Sequence, residues 1–375
     1  VCAMGALTGV RIADFSRVLA GPYATMLLGD MGAEVIKVER PEVGDDTRTW
    51  GPPFDSANRA TYFQSVNRNK QGIIADLSTE SGRLKALELV ATCDVVVENF
   101  AVGTMEKFGL GYKTLSATYP GLIYCSISGF GSSQAGRELP GYDLLVQAMS
   151  GLMSITGPDV DHPSKVGVAV IDVTAGLHTA LGIVAALYHH KESGLGQKIE
   201  INLLSSALSA MVNQSGAYAG AGVIPKAMGN AHPSIAPYEV YAARDAQFVI
   251  AVGNDAQFVK FCSVLGIDLA TDARFESNFE RVIHRAELNA LIAPILASRD
   301  AAYWSAECKK VGVPAGTINN IEDAINLAEE LGLAPLVTII DPRDATISKT
   351  IANPINFSAT PVEYRLGPPA LGIDN

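Results

Sequence analysis

Three consecutive stretches decide the fold: Gly9-Val10-Arg11-Ile12-Ala13-Asp14-Phe15, then Ser16-Arg17-Val18-Leu19-Ala20-Gly21-Pro22, then Glu34-Val35-Ile36-Lys37-Val38-Glu39-Arg40. The first alternates toward a buried strand. Pro22 suits a first helical turn, Tyr23 to Met31 is apolar with few breakers, and the third stretch returns as a second strand. This is a parallel strand–helix–strand unit, and such units bind ligands at the carboxyl ends of their strands. Arg17, Glu39 and Arg40 fall on that edge. The turn between strand and helix has one glycine where a dinucleotide loop needs three, so the scaffold comes without its usual ligand loop.

Working outward, Gly72–Asp76, Asp94–Glu98 and Leu122–Ser126 are further strand candidates, with a helical pattern from Glu80 to Ala91. Repeated alternation predicts an α/β sheet. Asp172–His190 and Leu203–Ala219 read as long apolar helices around a short strand, Lys198–Asn202, and Tyr238–Val252 as a hairpin followed by amphipathic helices. The expected division is a large Rossmann-like domain over 1–205, a linker over 206–227, a small α+β domain over 228–310, and a segment over 311–375 that returns to the large domain.

The 375 residues are 48% hydrophobic, enough for a large core, and the net charge of −11 argues against general nucleic-acid affinity. An anionic ligand must therefore meet a local basic cluster. Cys2, Cys93, Cys125, Cys262 and Cys308 show no CxxC spacing and read as reduced thiols of a cytosolic-type compartment. The best apolar run, Leu177–Tyr188, is too short to span a bilayer, so a soluble protein is expected, cytoplasmic or, in a eukaryote, of the mitochondrial matrix.

The basic cluster is Arg40, Arg68, Lys70 and Lys107, with Asn99 and Phe100 ending a strand beside it. It reads either as a phosphate cradle, with Phe100 or Tyr62 over a purine, or as a solvated rim of surface ion pairs. Asp172 opens a helix whose positive end is expected to keep it ionised, either as an N-cap or as a nucleophile toward a thioester or anhydride. Tyr142-Asp143 precedes another helix and reads first as capping. Gly129-Phe130-Gly131 could bring backbone close to a ligand. His189 and His190 are adjacent and point apart, so no metal site is expected, and no GxSxG, P-loop or GxGxxG motif occurs. His232 is a loop histidine near the linker.

Taken together, these residues resemble the class III CoA-transferases of the CaiB/BaiF, formyl-CoA transferase-like type, a family that also contains acyl-CoA racemases. The resemblance runs through Leu7–Pro22, Leu28–Arg40, Asn67–Lys70, Asp94–Phe100 and Gly194–Gln197. The stretch Gly44–Phe54 looks most like members that use succinyl-CoA with small dicarboxylic acids such as glutarate. The resemblance implies Asp172 as nucleophile and Arg17, Val18, Leu19, Ala20, Arg40, Asn69, Lys70, Asn99, Phe100 and Lys107 as holding CoA. It implies an interlocked homodimer, CoA as substrate, and no metal or redox cofactor.

Arg17, Arg48 and His232 are candidates for the acceptor's remote carboxylate, and Gly129 or the Gly229 loop for oxyanion stabilisation; Tyr142 and Asp143 belong to the vicinity. Racemases of this fold carry a histidine where this chain has Tyr142, which makes a 2-methylacyl-CoA racemase the second reading. A noncatalytic CoA-binding protein is the third.

Overall fold

A computed structural model describes residues 5–375, so Cys2 lies outside the described residues. The chain forms two compact units.

The first unit contains the chain up to Leu152, Lys165–Ile224 and Ala334–Asn375. Its centre is a six-stranded sheet of β1 (Arg11–Asp14), β2 (Glu34–Glu39), β3 (Lys70–Ile74), β4 (Val95–Glu98), β5 (Ile123–Ser128) and β6 (Lys198–Asn202). The order is β3-β2-β1-β4-β5-β6 and every pairing is parallel, with Ala13 opposite both Ile36 and Val96. This is the doubly wound arrangement, whose order reverses beside β1 and opens a crevice at the strand ends. Val95, Val96 and Val97 are wholly buried, as strands covered on both faces require.

Helix α1 (Ala20–Asp30) follows β1. Helix α2 (Asp143–Met149) leads toward the 24-residue α3 (Val170–Ser193), which buries Ile171, Ala175, Gly176, Thr179, Ile183 and Ala186. Gly176 has a packing reason, since a Cβ there would stand 2.7 Å from the Ala20 carbonyl oxygen. By length and composition α3 could cross a membrane, which corrects the reading that no stretch is long enough. Its small residues extend the apolar run beyond Leu177–Tyr188, and here they seat it against α1.

After an antiparallel hairpin, Leu336–Ile340 with Ile347–Ile351, the chain's last segment bonds back to the sheet: Gly72 N–H donates to Asp374 at 2.8 Å and Arg365 N–H to Asn69 at 2.7 Å.

The second unit, Met153–Ser164 with Pro225–Leu333, holds a three-stranded antiparallel sheet of Tyr238–Ala242, Gln247–Ala251 and Ala315–Thr317. Phe248, Phe258, Phe261, Phe275 and Trp304 fill its core. Arg281 is also buried there, stacked 4.3 Å from the Phe258 ring centroid and donating to the carbonyls of Ala236 and Phe275.

This division differs from the one expected. The proposed linker 206–227 is mostly helix, Leu203–Ala210 and Val212–Ala221, broken where Val212 adopts φ 35°. The small unit runs on to Leu333, because Ala315–Thr317 pairs with its sheet, and the return begins at Ala334. Strand signals placed β3 two residues late and β5 one residue early.

Candidate functional site

A cleft of about 290 Å³ opens on the first unit at the ends of β1, β4 and β5. Arg17, Val18, Leu19 and Ala20 form one wall, Asn99 and Phe100 a second, and Gly129, Arg137 and Tyr142 a third. Asp172 faces it from α3.

Asp172 is the third residue of α3, whose N-cap is Ala169, so Asp172 is not the cap. That work falls to Asp143: one of its carboxylate oxygens accepts the Ile171 and Asp172 N–H groups at 2.8 and 3.1 Å, and the other accepts from Gln147 Nε2 at 2.5 Å. The helix end is thus already occupied by an anion. Burial, and then the Asp143 charge, push the Asp172 carboxyl up to about 7 from its ordinary value of 3.8. This corrects the expectation that the helix terminus keeps Asp172 readily ionised. No hydrogen bond or ion pair engages its carboxylate among the described residues. Tyr62, read from sequence as a purine cover, instead feels these two carboxylates. Burial first, then Asp172 and Asp143, push its hydroxyl up to about 12 and keep it neutral.

Two glycines shape the third wall. A Cβ on Gly129 would fall 2.4 Å from Gly141 Cα, so their backbones meet only because neither has a side chain. Tyr142, next in the chain, is 68% exposed.

On the opposite side Arg17 lies with its guanidinium 5.1 Å from the Phe100 ring centroid and Nη1 3.4 Å from Asp46. Asn99 fixes the Arg17 backbone in both senses, accepting from its N–H at 2.9 Å and donating to its carbonyl at 2.7 Å. Arg17 and Phe100 also line a second cavity of about 220 Å³ with Arg40, Leu77 and Phe108. Arg40 there donates to Gly44 O at 3.0 Å and pairs with Asp46.

The basic cluster read from sequence is not one group. Lys70 is wholly buried, donating to Asp14 at 3.0 Å, to Pro22 O and to Asn67, and burial lowers its ammonium to about 8. Asn69 donates to Asp30 and Glu363 O and accepts from Arg365 and Leu366. Arg68 forks onto Asp30 at 2.9 and 2.7 Å. These three carry the fold, since their polar atoms are saturated inside it.

Arg48 is likewise committed: it is bidentate on Glu39 at 2.8 and 2.6 Å, donates to Pro369 O, and stacks 3.8 Å from the Phe63 ring centroid. Lys107 is exposed at the end of the short helix Thr104–Lys107. His232 belongs to the second unit, where its Nδ1 accepts from Ser234 N–H at 3.0 Å.

Arg137 and Asp46 on the cleft were missed by the sequence reading. Arg137 stands in a loop whose only signal is its place before Pro140-Gly141. The cleft therefore offers two cations, Arg17 and Arg137, and one unpartnered carboxylate, an arrangement suited to an anionic thioester and a nucleophile.

A family model described as CoA-transferase family III matches residues 7–375. Succinate–glutarate CoA-transferase of Agrobacterium fabrum is 43% identical over 372 residues, covering 98% of this chain and 93% of that protein. Succinyl-CoA:glutarate CoA-transferase of Mus musculus is 40% identical over 371 residues, covering 98% and 84%. The crystal structure of a CAIB/BAIF family protein from Brucella suis superposes with a TM-score of 0.86 at 41% identity, covering 99% of this chain and 97% of that one.

Proposed function

From the premise that the chain belongs to CoA-transferase family III, and is an enzyme of that class, we propose that it moves CoA from succinyl-CoA to glutarate or a closely related small dicarboxylate, with Asp172 as nucleophile. The observation that carries the reading is the Asp172 carboxylate, placed on the cleft without a cationic partner and raised to about 7. A carboxylate stripped of water and of counter-charge is a stronger nucleophile than an ion-paired one once it ionises.

The ionised Asp172 attacks the succinyl thioester carbonyl, expels CoA thiolate and forms a mixed anhydride. The thiolate attacks the aspartyl carbonyl, releasing succinate and leaving an aspartyl-CoA thioester. Glutarate attacks that thioester and again expels thiolate; thiolate attack on the glutaryl carbonyl gives glutaryl-CoA and restores Asp172. The sequence of steps balances without a metal or redox cofactor. Arg17 and Arg137 serve the CoA diphosphate or the acceptor's remote carboxylate, and the cavity beside Arg40, Phe100 and Phe108 takes the adenosine end. A cytoplasmic or matrix setting suits these substrates.

The working form is a homodimer. On α3, Leu177, Leu181, Val184 and Tyr188 recur at helical spacing and are 40–72% exposed. In the second unit the helix Ile321–Glu330 buries none of its residues, and Ile321 is 79% exposed. Apolar faces of this extent call for a second copy. Light scattering should give twice the chain mass.

The test of function is incubation with succinyl-CoA and a panel of glutarate, succinate, itaconate, citramalate, malate and monocarboxylates of matching length, with new thioesters read by mass spectrometry. Glutaryl-CoA formation, with hydroxylamine-trapped label on Asp172, is the expected result. Preference for butyrate over every dicarboxylate would overturn the substrate class. Exchange of an α-proton in a 2-methylacyl-CoA without transfer would restore the racemase reading, which Tyr142 disfavours because phenol is a poor proton carrier beside histidine. Binding of CoA without any turnover would leave the noncatalytic one.

A further inference from the structure

The backbone of Ser16–Val18, at the head of the Arg17–Ala20 wall, is fastened by side chains from several places in the unit. Ser16 N–H donates to Asp14 at 3.0 Å and its carbonyl accepts from Lys37 Nζ at 2.9 Å. Arg17 is gripped by Asn99. Val18 N–H donates to the Asp45 carboxylate, 3.3 and 3.2 Å from its two oxygens. Val18 has φ 69°, a left-handed conformation that a β-branched residue adopts only where its surroundings impose it.

Asp45 can impose it because Asp45 is itself immobilised. It takes the Lys37 ammonium at 2.9 Å, the Thr47 N–H at 3.0 Å and the Thr47 hydroxyl at 2.8 Å, and the Lys37 and Asp45 side chains are wholly buried. Burial works against the Asp45 charge, but Lys37 and Thr47 draw its carboxyl down to about 2, so the strut is ionised near neutral pH.

We propose that Asp45, braced by Lys37, is a positioning residue for CoA transfer: by holding the Val18 N–H it sets the Arg17–Ala20 wall against the helix that carries Asp172. Asp45 borders the second cavity, but neither Asp45 nor Lys37 lines the main cleft that Asp172 faces, so neither touches the reacting atoms. The coupling to Asp172 is steric. Gly176, one helical turn beyond Asp172, abuts the Ala20 carbonyl so closely that a Cβ would not fit, so a displaced Val18 turn pushes the start of α1 against α3. A misplacement of about 1 Å at a reacting group is felt in the chemical step. The inference rests on the CoA-transfer reading above.

The experiment compares wild type, Asp45→Ala, Val18→Gly and the double variant Val18→Gly/Asp45→Ala with succinyl-CoA and glutarate, alongside amide hydrogen exchange over Ser16–Ala20. Asp45→Ala should lower kcat by roughly ten- to a hundredfold, with most of the loss in kcat rather than in KM for succinyl-CoA. The double variant should recover a large part of that loss, because glycine enters the left-handed turn without cost. A generally weakened fold would not respond to Val18→Gly in this way. Full kcat in Asp45→Ala, or no recovery in the double variant, would overturn the proposal.

If Asp45→Ala does not fold, Val18→Gly alone decides. Relief of an imposed conformation should raise its melting temperature, and an unchanged or lowered one would refute the strut. Were wild type to transfer no CoA, the functional reading would fall. The strut would then stand or fall on loss of exchange protection at Ser16–Ala20 in Asp45→Ala and its return in the double variant.

Discussion

The Asp14 and Asp45 carboxylates and the Asp172 carboxylate all withdraw from bulk water, yet only the first two meet ammonium groups. Asp14 accepts from Lys70, from the Thr25 hydroxyl at 2.6 Å and from the Ser16 N–H and hydroxyl. Burial raises its carboxyl, but Lys70 and Lys37 outweigh that and hold it below its ordinary range. Asp172 has burial and an acidic neighbour and nothing to offset them, so it moves the other way, to about 7. The same side chain therefore serves as cement in one place and as reagent in the other. What separates the roles is the number of partners, a property no single residue identity carries.

The sharpest way to break this contrast is to remove each acid's function in turn. Asp172→Ala should abolish thioester exchange, by on the order of 10⁴-fold or more, in a protein whose far-ultraviolet circular dichroism is unchanged. An active alanine variant would end the assignment. Lys70→Met should act on the fold, taking from the buried Asp14 carboxylate the ammonium hydrogen-bonded to it, at a cost of about 3–5 kcal/mol in denaturant titration. The surviving folded fraction should keep its KM for acyl-CoA, and a raised KM at undiminished stability would return Lys70 to the ligand.

Arg17→Ala tests the cleft cations. Loss of a charge-assisted contact, roughly 1.5–3 kcal/mol, should raise the KM for succinyl-CoA about ten- to a hundredfold. No change would assign the anionic groups to Arg137.

The smallest effect expected is on stability against pH. The folded Asp172 carboxyl stays protonated up to about 7, whereas its ordinary value is 3.8. The folded state thus binds the extra proton between those values, and wild type loses stability as pH rises through that window. Asp172→Asn lacks this loss. Its melting temperature should exceed that of wild type at pH 8, and the gap should close at pH 4. Asp45, drawn down to about 2, has the opposite sign: its contribution is complete above about 4 and is lost as pH falls through 2. In kinetics, kcat/KM should fall as pH drops below about 7, while a flat profile would show Asp172 already ionised.

The sheet was legible in the sequence because β4 opens on the apolar run Val95-Val96-Val97, while β1 and β2 carry short apolar pairs framed by charged residues, the pattern of strands in a parallel unit. Its edges were less so: β3 starts with Lys70 and Gln71, polar residues whose burial depends on Asp14 and the returning C-terminal segment. The nucleophile's position could be read by resemblance, but its electrostatics could not. Asp143 sits 29 positions before Asp172, and only the packed chain shows it occupying the helix end first. The basic residues misled for a related reason. Arg40, Arg68 and Lys70 look alike in a string, and only their acceptors distinguish a surface cation from a buried one. Arg17 and Arg137 give no periodic signal, since both stand in loops.

Asp30 has a bearing on how the protein is made. Its carboxylate gathers Arg68, Asn69 and Asn353, and its carbonyl takes the Glu363 N–H. Asn353 is 323 positions downstream, so at about 5–20 residues per second it leaves the ribosome roughly 16–65 s after Asp30. Throughout that interval the nascent sheet has its β3 edge uncovered and one buried acid short of partners. The chain therefore completes its first unit last, and the time before completion is when chaperones, or misassembly with another nascent copy, have access to it.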